Sequence, residues 1–283
     1  MKNKITVILK GGIGNQMFQY SAALSVAIKN NCELCIDAST GFFKDPYGRS
    51  YSLECFSLGQ NEIHRSVTLA TKWLDQIRKK YFKILYELGI SKSLFVYEKK
   101  LNYDCMLDWS NRTEVYLDGY FQSSNYFSGI EKEIKVHFEF INEHKKNNIA
   151  LSKKILSADS VCLHMRRDRI DHPATVDYYL KAISIIKLHV DKPIFFIFSD
   201  DPLWFKLNMA EILDVSFIVI DWNIDDETED LWLMTLCKHF IIANSTFSWW
   251  AAWLGSYKDK IVIAPHELTN NNKYIYPKNW NIL

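Results

Sequence analysis

The feature that most limits the fold is a regular alternation of short apolar runs and amphipathic segments after residue 160. The apolar runs are four to six residues long and rich in β-branched and aromatic residues, as expected of buried strands. Strands that alternate with helices at this spacing predict a parallel sheet with helices on both faces. The predicted strands are 161–165, 193–198, 217–220, 240–243 and 261–264, and the predicted helices are 176–188, 202–209, 228–237 and 247–254.

The first part of the chain opens with a similar unit. An apolar run, a glycine turn, a segment with helical spacing and a second apolar run follow one another, which is the pattern of a βαβ unit. Further on, one long segment has mainly helical spacing, and one short apolar run precedes an Asp-Gly pair. These segments are, in order, strand 5–9, turn 11–14, helix 17–28, strand 33–37, helix 62–90 and strand 115–117.

The length of the chain, 283 residues, favours two domains, because a domain usually spans about 150 residues. The charged segment 131–155 is most polar at 145–148, and it contains the expected boundary. We therefore predict an α/β protein with an N-terminal domain of residues 1–150 and a C-terminal domain of residues 151–283.

Charge and hydropathy exclude several classes of partner. The net charge of +1 gives no bulk attraction to nucleic acid, so no nucleic-acid partner is expected. The early apolar run 5–9 is too short for a signal peptide, and polar residues interrupt the most apolar stretch, 240–254, so we expect neither a leader nor a transmembrane segment. We expect a cytoplasmic protein and leave open a peripheral attachment at the inner membrane face.

Polar side chains collect directly after the predicted strands. Ligands of open parallel sheets bind at the carboxyl ends of the strands, so this is where a binding site is expected. The segments in these positions are Gly11–Gln16, Arg166–Asp171, Ser199–Asp201, Asp221–Asp226 and Asn244–Ser248.

The most informative of these segments contains three arginines within four residues, Arg166, Arg167 and Arg169. Arginine grips phosphate oxygens in a bidentate manner, and fixed cations stabilise the charge that builds up on a leaving diphosphate. A solvated charge cluster is the alternative, which the position at a strand end disfavours. Asp168 or Asp171 could pair with an arginine or take a proton from an acceptor hydroxyl.

The glycine turn at 11–14 exposes backbone N–H groups at the start of a helix, where an anion or a sugar can bind. The amides of Asn15 and Gln16 favour a neutral sugar. A tight βα turn without a ligand is the alternative. The turn lacks the third glycine of the dinucleotide-binding fingerprint, which argues against an oxidoreductase.

Hydroxyl and carboxyl groups follow the later strands. The turn after the strand 240–243 contains a larger number of polar residues than a helix cap needs, and these could line an anion pocket. They are Asn244, Ser245, Thr246 and Ser248. Asp230 could accept hydrogen bonds from the edge of a guanine, although acidic residues are also common in the first turn of helices. The carboxylates at Ser199–Asp201 fit a helix start equally well.

Several separate motifs, in order along essentially the whole chain, resemble those of the bacterial α-1,2-fucosyltransferases. The block at 164–167 resembles the H-x-R-R motif that the family shares with α-1,6- and protein O-fucosyltransferases. The matching blocks are Gly11–Tyr20, Gly119–Ser123, His164–Arg167, Phe198–Asp201, Leu233–His239, Ala243–Leu254, Tyr276–Pro277 and Asn279–Trp280.

This resemblance implies a GT-B fold, in which two Rossmann-like domains with parallel sheets face a cleft. The N-terminal domain is then the acceptor side and the C-terminal domain binds GDP-fucose. It also implies an inverting transfer of L-fucose from GDP-β-L-fucose to the 2-hydroxyl of a terminal galactoside, as in the synthesis of cell-surface glycans such as O-antigen. The acceptor is a galactoside-containing oligosaccharide, and a lipid-linked form of it is left open.

The resemblance assigns residues to three groups. The expected donor-binding residues are His164, Arg166, Arg167, Asp200, Asp230, Asn244, Ser245, Thr246, Phe247 and Ser248. The expected catalytic residues are Arg166, Arg167, Asp168 and Asp171, and the loop toward donor or acceptor contains Gly12, Gly14, Asn15 and Gln16. The family pattern has its acidic residue at 169, where this chain has Arg169, so Asp168 or Asp171 is expected to substitute for it.

The chain contains no Asp-x-Asp triplet, which glycosyltransferases that hold the donor through a divalent metal usually present. Beside the arginine cluster, this absence predicts that the enzyme needs no metal and no cofactor, with GDP-fucose as its donor substrate. Transfer of another GDP-sugar, such as rhamnose or mannose, and a non-catalytic protein that binds nucleotide or glycan are the alternatives.

Overall fold

The computed structural model describes most of the chain, and its contacts divide it into two compact units. The first unit comprises Met1–Ile141 with Asn272–Tyr276, and the second comprises Asn142–Asn271 with Pro277–Leu283. The described residues are 3–43, 45–58, 62–64, 81, 84, 93–98, 114–168, 173–266 and 274–283.

The first unit is built on a parallel five-stranded sheet with the order β3-β2-β1-β5-β4. The central strand pairs on both sides in register, Ile5 with Leu34 and with Val115. The strands are β1 Lys4–Ile8, β2 Glu33–Asp37, β3 Glu62–His64, β4 Ser93–Tyr97 and β5 Glu114–Asp118.

Helix α1, Ile13–Lys29, starts directly after the glycine turn and covers this sheet. Its side chains Met17, Phe18 and Tyr20 are fully buried, because the helix lies between the sheet and the chain that follows. The unit also contains helix α2, Glu131–His137, and short 3-10 turns at Thr40–Phe42, Leu53–Cys55 and Ser124–Phe127.

The second unit is built on a parallel six-stranded sheet with the order β11-β10-β9-β6-β7-β8. The strands are β6 Ser160–Met165, β7 Ile194–Ser199, β8 Ser216–Ile220, β9 His239–Ile241, β10 Val262–Ala264 and β11 Asn281–Ile282. All six side chains of β6 are buried, as expected of a central strand covered on both faces.

Helices cover both faces of the second sheet. They are α3 Lys146–Ser157, α4 Val176–His189, α5 Pro202–Asn208, α6 Glu227–Thr235 and α7 Thr246–Leu254. One face of the sheet packs its core on α4, through residues such as Tyr179, Ile183 and Ile186. Among the helices that the structure describes, none is long and apolar enough to cross a bilayer.

The alternation predicted after residue 160 matches the structure, with every predicted end within two residues of the observed one. The prediction for the first unit was less accurate. Within the predicted helix 62–90, Glu62–His64 is strand β3, which pairs with the edge of β2. Tyr81 and Ile84 are helical, and the other residues of that segment lie outside the described part of the chain.

The division between the units falls after Ile141 rather than at residue 150. Helix α3 belongs to the second unit because its buried Leu151 and Ile155 pack there and its Asn148 bonds to Asn223. The segment 272–276 joins the first unit, where Ser123 Oγ donates to the carbonyl oxygen of Tyr274 at 2.7 Å.

Replacing Gly119 by alanine is expected to destabilise the first unit. A Cβ atom at Gly119 would lie 2.5 Å from Glu98 Cβ and 2.9 Å from Phe121 Cζ, so neighbouring atoms must move. The expected loss of unfolding free energy is about 1–3 kcal/mol, measured by thermal or urea denaturation.

Gly12→Ala is the matched control, because a Cβ at Gly12 meets nothing within 4 Å. It loses only the preference of a helix N-cap for glycine over alanine, about 1 kcal/mol or less. Equal unfolding midpoints for the two variants would contradict the close packing at Gly119.

Candidate active site

The strand order of the second unit defines where a ligand is expected. From β6 the chain adds β7 and β8 on one side, and it then crosses to add β9 and β10 on the other. The loops after β6 and β9 therefore leave the sheet in opposite directions and open a crevice at its carboxyl edge. The arginine segment follows β6 and the Asn244–Ser248 segment follows β9, so the fold brings these two predicted segments together.

The carboxylate of Asp200, directly after β7, anchors the arginine segment. Its Oδ1 accepts from the backbone N–H of Arg167 at 2.8 Å, and its Oδ2 accepts from the backbone N–H of Asp168 at 2.9 Å. Oδ2 also lies 3.1 Å from Nε of Arg166. Asp200 therefore shapes the loop that carries the two arginines, a role that its position in the sequence does not specify.

The two arginines are held differently. Arg166 forms the ion pair with Asp200 and donates from Nε to the carbonyl oxygen of Asp168 at 3.1 Å. The guanidinium of Arg167 lies over the ring of Trp204, 4.0 Å from its centroid, which fixes the plane of the cation. Among the described residues Arg167 has no carboxylate partner, so its charge is available to an anion.

Trp204 is placed by the start of helix α5. Asp201 caps this helix and its side chain accepts from the backbone N–H of Trp204 at 2.9 Å. Pro202 occupies the first turn, where a missing N–H costs nothing. Trp204 was not among the predicted site residues. The signal that marks it is an aromatic residue in the first turn of a helix that follows a strand directly.

His164 lies inside the unit, two residues before Arg166. Burial, and secondly the charge of Arg166, lowers the pKa of His164 to about 3, so the ring is neutral at physiological pH. Its ring lies 5.6 Å from that of Phe247, and its carbonyl oxygen accepts from the hydroxyl of Tyr179 at 3.1 Å. His164 therefore joins β6 to the helix that follows β9 and adds no positive charge.

The start of helix α7 is the second part of the crevice. Ser245 caps the helix, and its hydroxyl accepts from the backbone N–H of Phe247 at 3.3 Å. The side chains of Asn244, Ser245, Thr246 and Phe247 are partly exposed at this end. The N-terminus of a nine-residue helix favours a negatively charged group through its dipole.

Ser248 differs from the expectation that it lines an anion pocket. It is fully buried, and its hydroxyl accepts from the backbone N–H of Ala243 at 3.3 Å and donates to the carbonyl oxygen of Ser245 at 3.4 Å. Ser248 therefore fixes the turn between β9 and α7 from the inside, because position 248 of the helix faces the sheet.

Asp230 lies in the first turn of α6, which packs against α7. Its Oδ1 accepts from Nδ2 of Asn223 at 2.8 Å. Burial raises the pKa of Asp230 to about 7, although the hydrogen bond from Asn223 favours the charged form. Asp230 is thus a half-buried carboxyl group that changes its charge near neutral pH.

The glycine turn of the first unit has an equivalent position in its own sheet, where the order changes direction between β1 and β5. Gly11 has φ +80°, a value that glycine adopts without strain, and Gly12 caps helix α1 ahead of Gly14. The side chain of Asn15 is partly exposed, and its Oδ1 accepts from Nε2 of Gln122, in the loop after β5, at 2.8 Å.

Gln16 also differs from expectation. Its side chain is fully buried, with Nε2 donating to the carbonyl oxygens of Gly11 and Ser50, each at 2.9 Å. Its Oε1 accepts from the backbone N–H of Ser52 at 2.9 Å. The amide of Gln16 therefore holds the glycine turn from inside and does not face a ligand.

Glu98, which was not among the predicted site residues, holds the loop after β5. Its Oε2 accepts from the backbone N–H groups of Tyr120 at 2.7 Å and Phe121 at 3.0 Å. These bonds stabilise a left-handed backbone at Phe121, with φ +50°. Burial raises the pKa of Glu98. Asp118 beside it pairs with Lys10 at 2.8 Å.

Arg169 and Asp171 lie outside the described residues.

Comparison with known proteins finds relatives that match along most of the chain. Residues 69–283 match the family model described as glycosyl transferase family 11. The chain is 32% identical to an O-antigen biosynthesis glycosyltransferase of Escherichia coli, WbnK, over 94% of this chain and 95% of that protein. It is 29% identical to an α-1,2-colitosyltransferase of Escherichia coli, over 91% of this chain and 89% of that protein.

A solved structure supports the fold. The α-1,6-fucosyltransferase NodZ soaked with GDP-fucose superposes with a TM-score of 0.56, over 90% of this chain and 93% of that chain, at 14% identity. The predicted α/β fold of GT-B type, with a parallel sheet in each of two units, is therefore confirmed. Together, the family match over residues 69–283 and the 32% identity establish that the chain belongs to glycosyl transferase family 11.

Proposed function

We propose that this glycosyltransferase moves L-fucose from GDP-β-L-fucose to the 2-hydroxyl of a terminal galactoside, with inversion and without a metal ion, in the synthesis of a surface glycan such as O-antigen. The observation that carries the proposal is the pair Arg166 and Arg167, which Asp200 holds at the crevice beside the start of α7. The names of the Escherichia coli relatives support O-antigen synthesis and an α-1,2 linkage.

The proposed reaction is a single displacement at C1 of the fucose. The acceptor oxygen forms a bond to C1 as the bond from C1 to the β-phosphate oxygen breaks, and GDP leaves with the electron pair. Negative charge then builds up on the diphosphate, where Arg167 and the N–H groups at the start of α7 can stabilise it. These groups are positioned before the reaction, so little reorganisation is needed.

The acceptor hydroxyl must lose a proton as it attacks. Asp168 is the described candidate for the base, because its side chain is exposed and its backbone is fixed by Asp200. Asp171 remains the second candidate. In the first unit, the partly exposed amide of Asn15 beside Gly12 and Gly14 supports a role in binding the neutral acceptor sugar.

Transfer of colitose is the second candidate function, since one of the Escherichia coli relatives bears that activity in its name. In this proposal, the arginines and Asp230 contact the nucleotide part of the donor and do not contact its sugar. Competing the two donors in one assay distinguishes the two activities, because the preferred donor is consumed first.

The proposal predicts transfer without metal. The purified protein is incubated with GDP-fucose and a panel of galactosides after thorough chelation, and linkage analysis is expected to find α-1,2-fucosylated product. The physical reason is that protein cations take the place of a metal at the diphosphate. Turnover that is lost on chelation and restored by magnesium or manganese would contradict transfer without metal. A product with another linkage would contradict the assigned acceptor hydroxyl.

Replacement of Arg167 is expected to slow transfer severely. Arg167→Ala removes a charged contact to the leaving group, which should cost about 3 kcal/mol of transition-state stabilisation, or about two orders of magnitude in kcat/KM. Arg167→Lys keeps the charge but loses the planar fork and its stacking on Trp204, so it should also be impaired.

Lys206→Ala is the control for the Arg167 variants. Lys206 is a cation on the same helix as Trp204, but it forms an exposed ion pair with Asp221 at 2.6 Å. Such a surface pair contributes little, so this variant should keep kcat/KM within about twofold of the wild type. Near-normal turnover of a folded Arg167→Ala variant would show that the diphosphate binds elsewhere.

Binding of GDP is expected to strengthen as pH rises from 6 to 8. The carboxylate of Asp230 must be ionised to accept from the guanine N1–H and N2–H, and burial raises its pKa to about 7. Isothermal calorimetry measures the affinity at each pH. Asp230→Asn should bind GDP weakly and retain only the pH dependence of the phosphate itself, and a variant with wild-type affinity would refute the guanine-binding role.

The same substitution checks that lost binding does not reflect unfolding. The raised pKa of Asp230 means that its contribution to folding stability, present at low pH, is lost as pH rises through about 7. Asp230→Asn removes the buried charge, so the ligand-free variant should be at least as stable as the wild type at pH 8.

A further inference from the structure

Three buried polar side chains form a connected cluster behind Asp230. Asn148 comes from α3, Asn223 from the loop after β8, and Glu229 from the first turn of α6, and their exposed fractions are 0%, 4% and 5%. Buried amides and carboxylates are costly unless their hydrogen bonds are satisfied, so the direction of each bond in the cluster is strongly constrained.

The groups at the two ends of the cluster fix the orientation of Asn148. The indole Nε1 of Trp222 can only donate, and it donates to Asn148 Oδ1 at 2.7 Å. The carboxylate of Glu229 can only accept when ionised, and its Oε2 accepts from Asn148 Nδ2. The amide of Asn148 therefore satisfies both neighbours in one orientation only.

Asn148 in turn fixes Asn223. Asn148 Nδ2 also donates to Asn223 Oδ1 at 3.0 Å, so the oxygen of Asn223 faces Asn148. The amide nitrogen of Asn223 then faces Asp230 and donates to its Oδ1 at 2.8 Å. A flipped Asn223 would place an amide oxygen against the carboxyl group and lose both bonds.

We propose that Asn223, oriented by Asn148, is a positioning residue that keeps Asp230 in the ionised form that accepts from guanine and rejects adenine. The inference rests on the proposed guanine-binding role of Asp230. An ionised carboxylate can accept from both N1–H and N2–H of guanine. Adenine presents a donor and an acceptor on the corresponding edge, so it would place a lone pair against the carboxylate.

The charged and titratable groups around Asp230 explain why an oriented donor is needed. Asp226, before α6, and Glu229, on α6, disfavour a negative charge on Asp230, whereas Lys145, before α3, favours it. Cys162 on the central strand β6 also faces Asp230, and burial raises the pKa of this thiol well above its usual value, so it adds no charge. The hydrogen bond from Asn223 favours ionisation more than the charge of Lys145 does.

The experiment measures GDP and ADP affinities by calorimetry between pH 6 and pH 9 for the wild type, Asn223→Leu, Asp230→Asn and Thr228→Val. Leucine has the same branched heavy-atom skeleton as asparagine but cannot donate. Thr228→Val is the control, because it removes a hydrogen bond of 2.7 Å to the neighbouring Asp226 and leaves Asp230 unchanged. The titration of the phosphate is common to all variants, so differences between them report on the protein.

Asn223→Leu should bind GDP roughly tenfold more weakly than the control at pH 7, because a charge-assisted hydrogen bond is lost. Its affinity should recover toward pH 9, since the loss of the donor moves the pH midpoint upward by about one unit. Its preference for GDP over ADP at pH 7 should fall in parallel. A merely structural defect would weaken binding at every pH and leave the midpoint in place.

A second variant keeps the test decisive if Asn223→Leu does not fold. Trp222→Phe removes the donor at the head of the cluster from a side chain that is 41% exposed, and it should move the midpoint in the same direction by a smaller amount. Midpoints equal to that of Thr228→Val in both variants, with Asp230→Asn impaired, would overturn the positioning role alone. Unchanged GDP affinity in Asp230→Asn would overturn the guanine-binding role as well.

Discussion

The carboxylate of Asp200 is the interaction on which the candidate donor site depends. It accepts from two successive backbone N–H groups, those of Arg167 and Asp168, and it pairs with the side chain of Arg166. One side chain directly after β7 thus fixes the loop that leaves the neighbouring strand β6. Removing it would leave two backbone donors and a guanidinium to find new partners, and the direction of Arg167 would no longer be set.

The rest of the site follows from where that loop lies. Because β6 is central and the order of strands changes direction beside it, the start of α7 lies at the same edge of the sheet as the arginines. Two buried residues support these segments from inside the unit. Neutral His164 packs against Phe247, and Ser248 stabilises the turn after β9 by a hydrogen bond. The polar cluster around Asn148 controls Asp230 in the same way, through groups that do not touch a ligand themselves.

Much of the second unit could be predicted from the sequence because its central strands β6, β9 and β10 are fully buried, and their apolar composition alone identifies them. The short strand Glu62–His64 could not, since three residues carry no periodicity and pairing with the edge of β2 decides their structure. The sequence placed Gln16 and Ser248 on the right turns, but it could not tell that their side chains point inward. The bond between Asn148 and Asn223 joins residues 75 positions apart, and no local pattern marks it.

A crystal structure of the protein with GDP tests the location of the donor site most directly. The diphosphate is expected within hydrogen-bond distance of the Arg167 guanidinium and of the N–H groups at the start of α7, with the guanine edge against the carboxylate of Asp230. A nucleotide bound instead at the glycine turn of the first unit, away from Arg167 and Asp230, would contradict the assignment of the second unit as the donor-binding part.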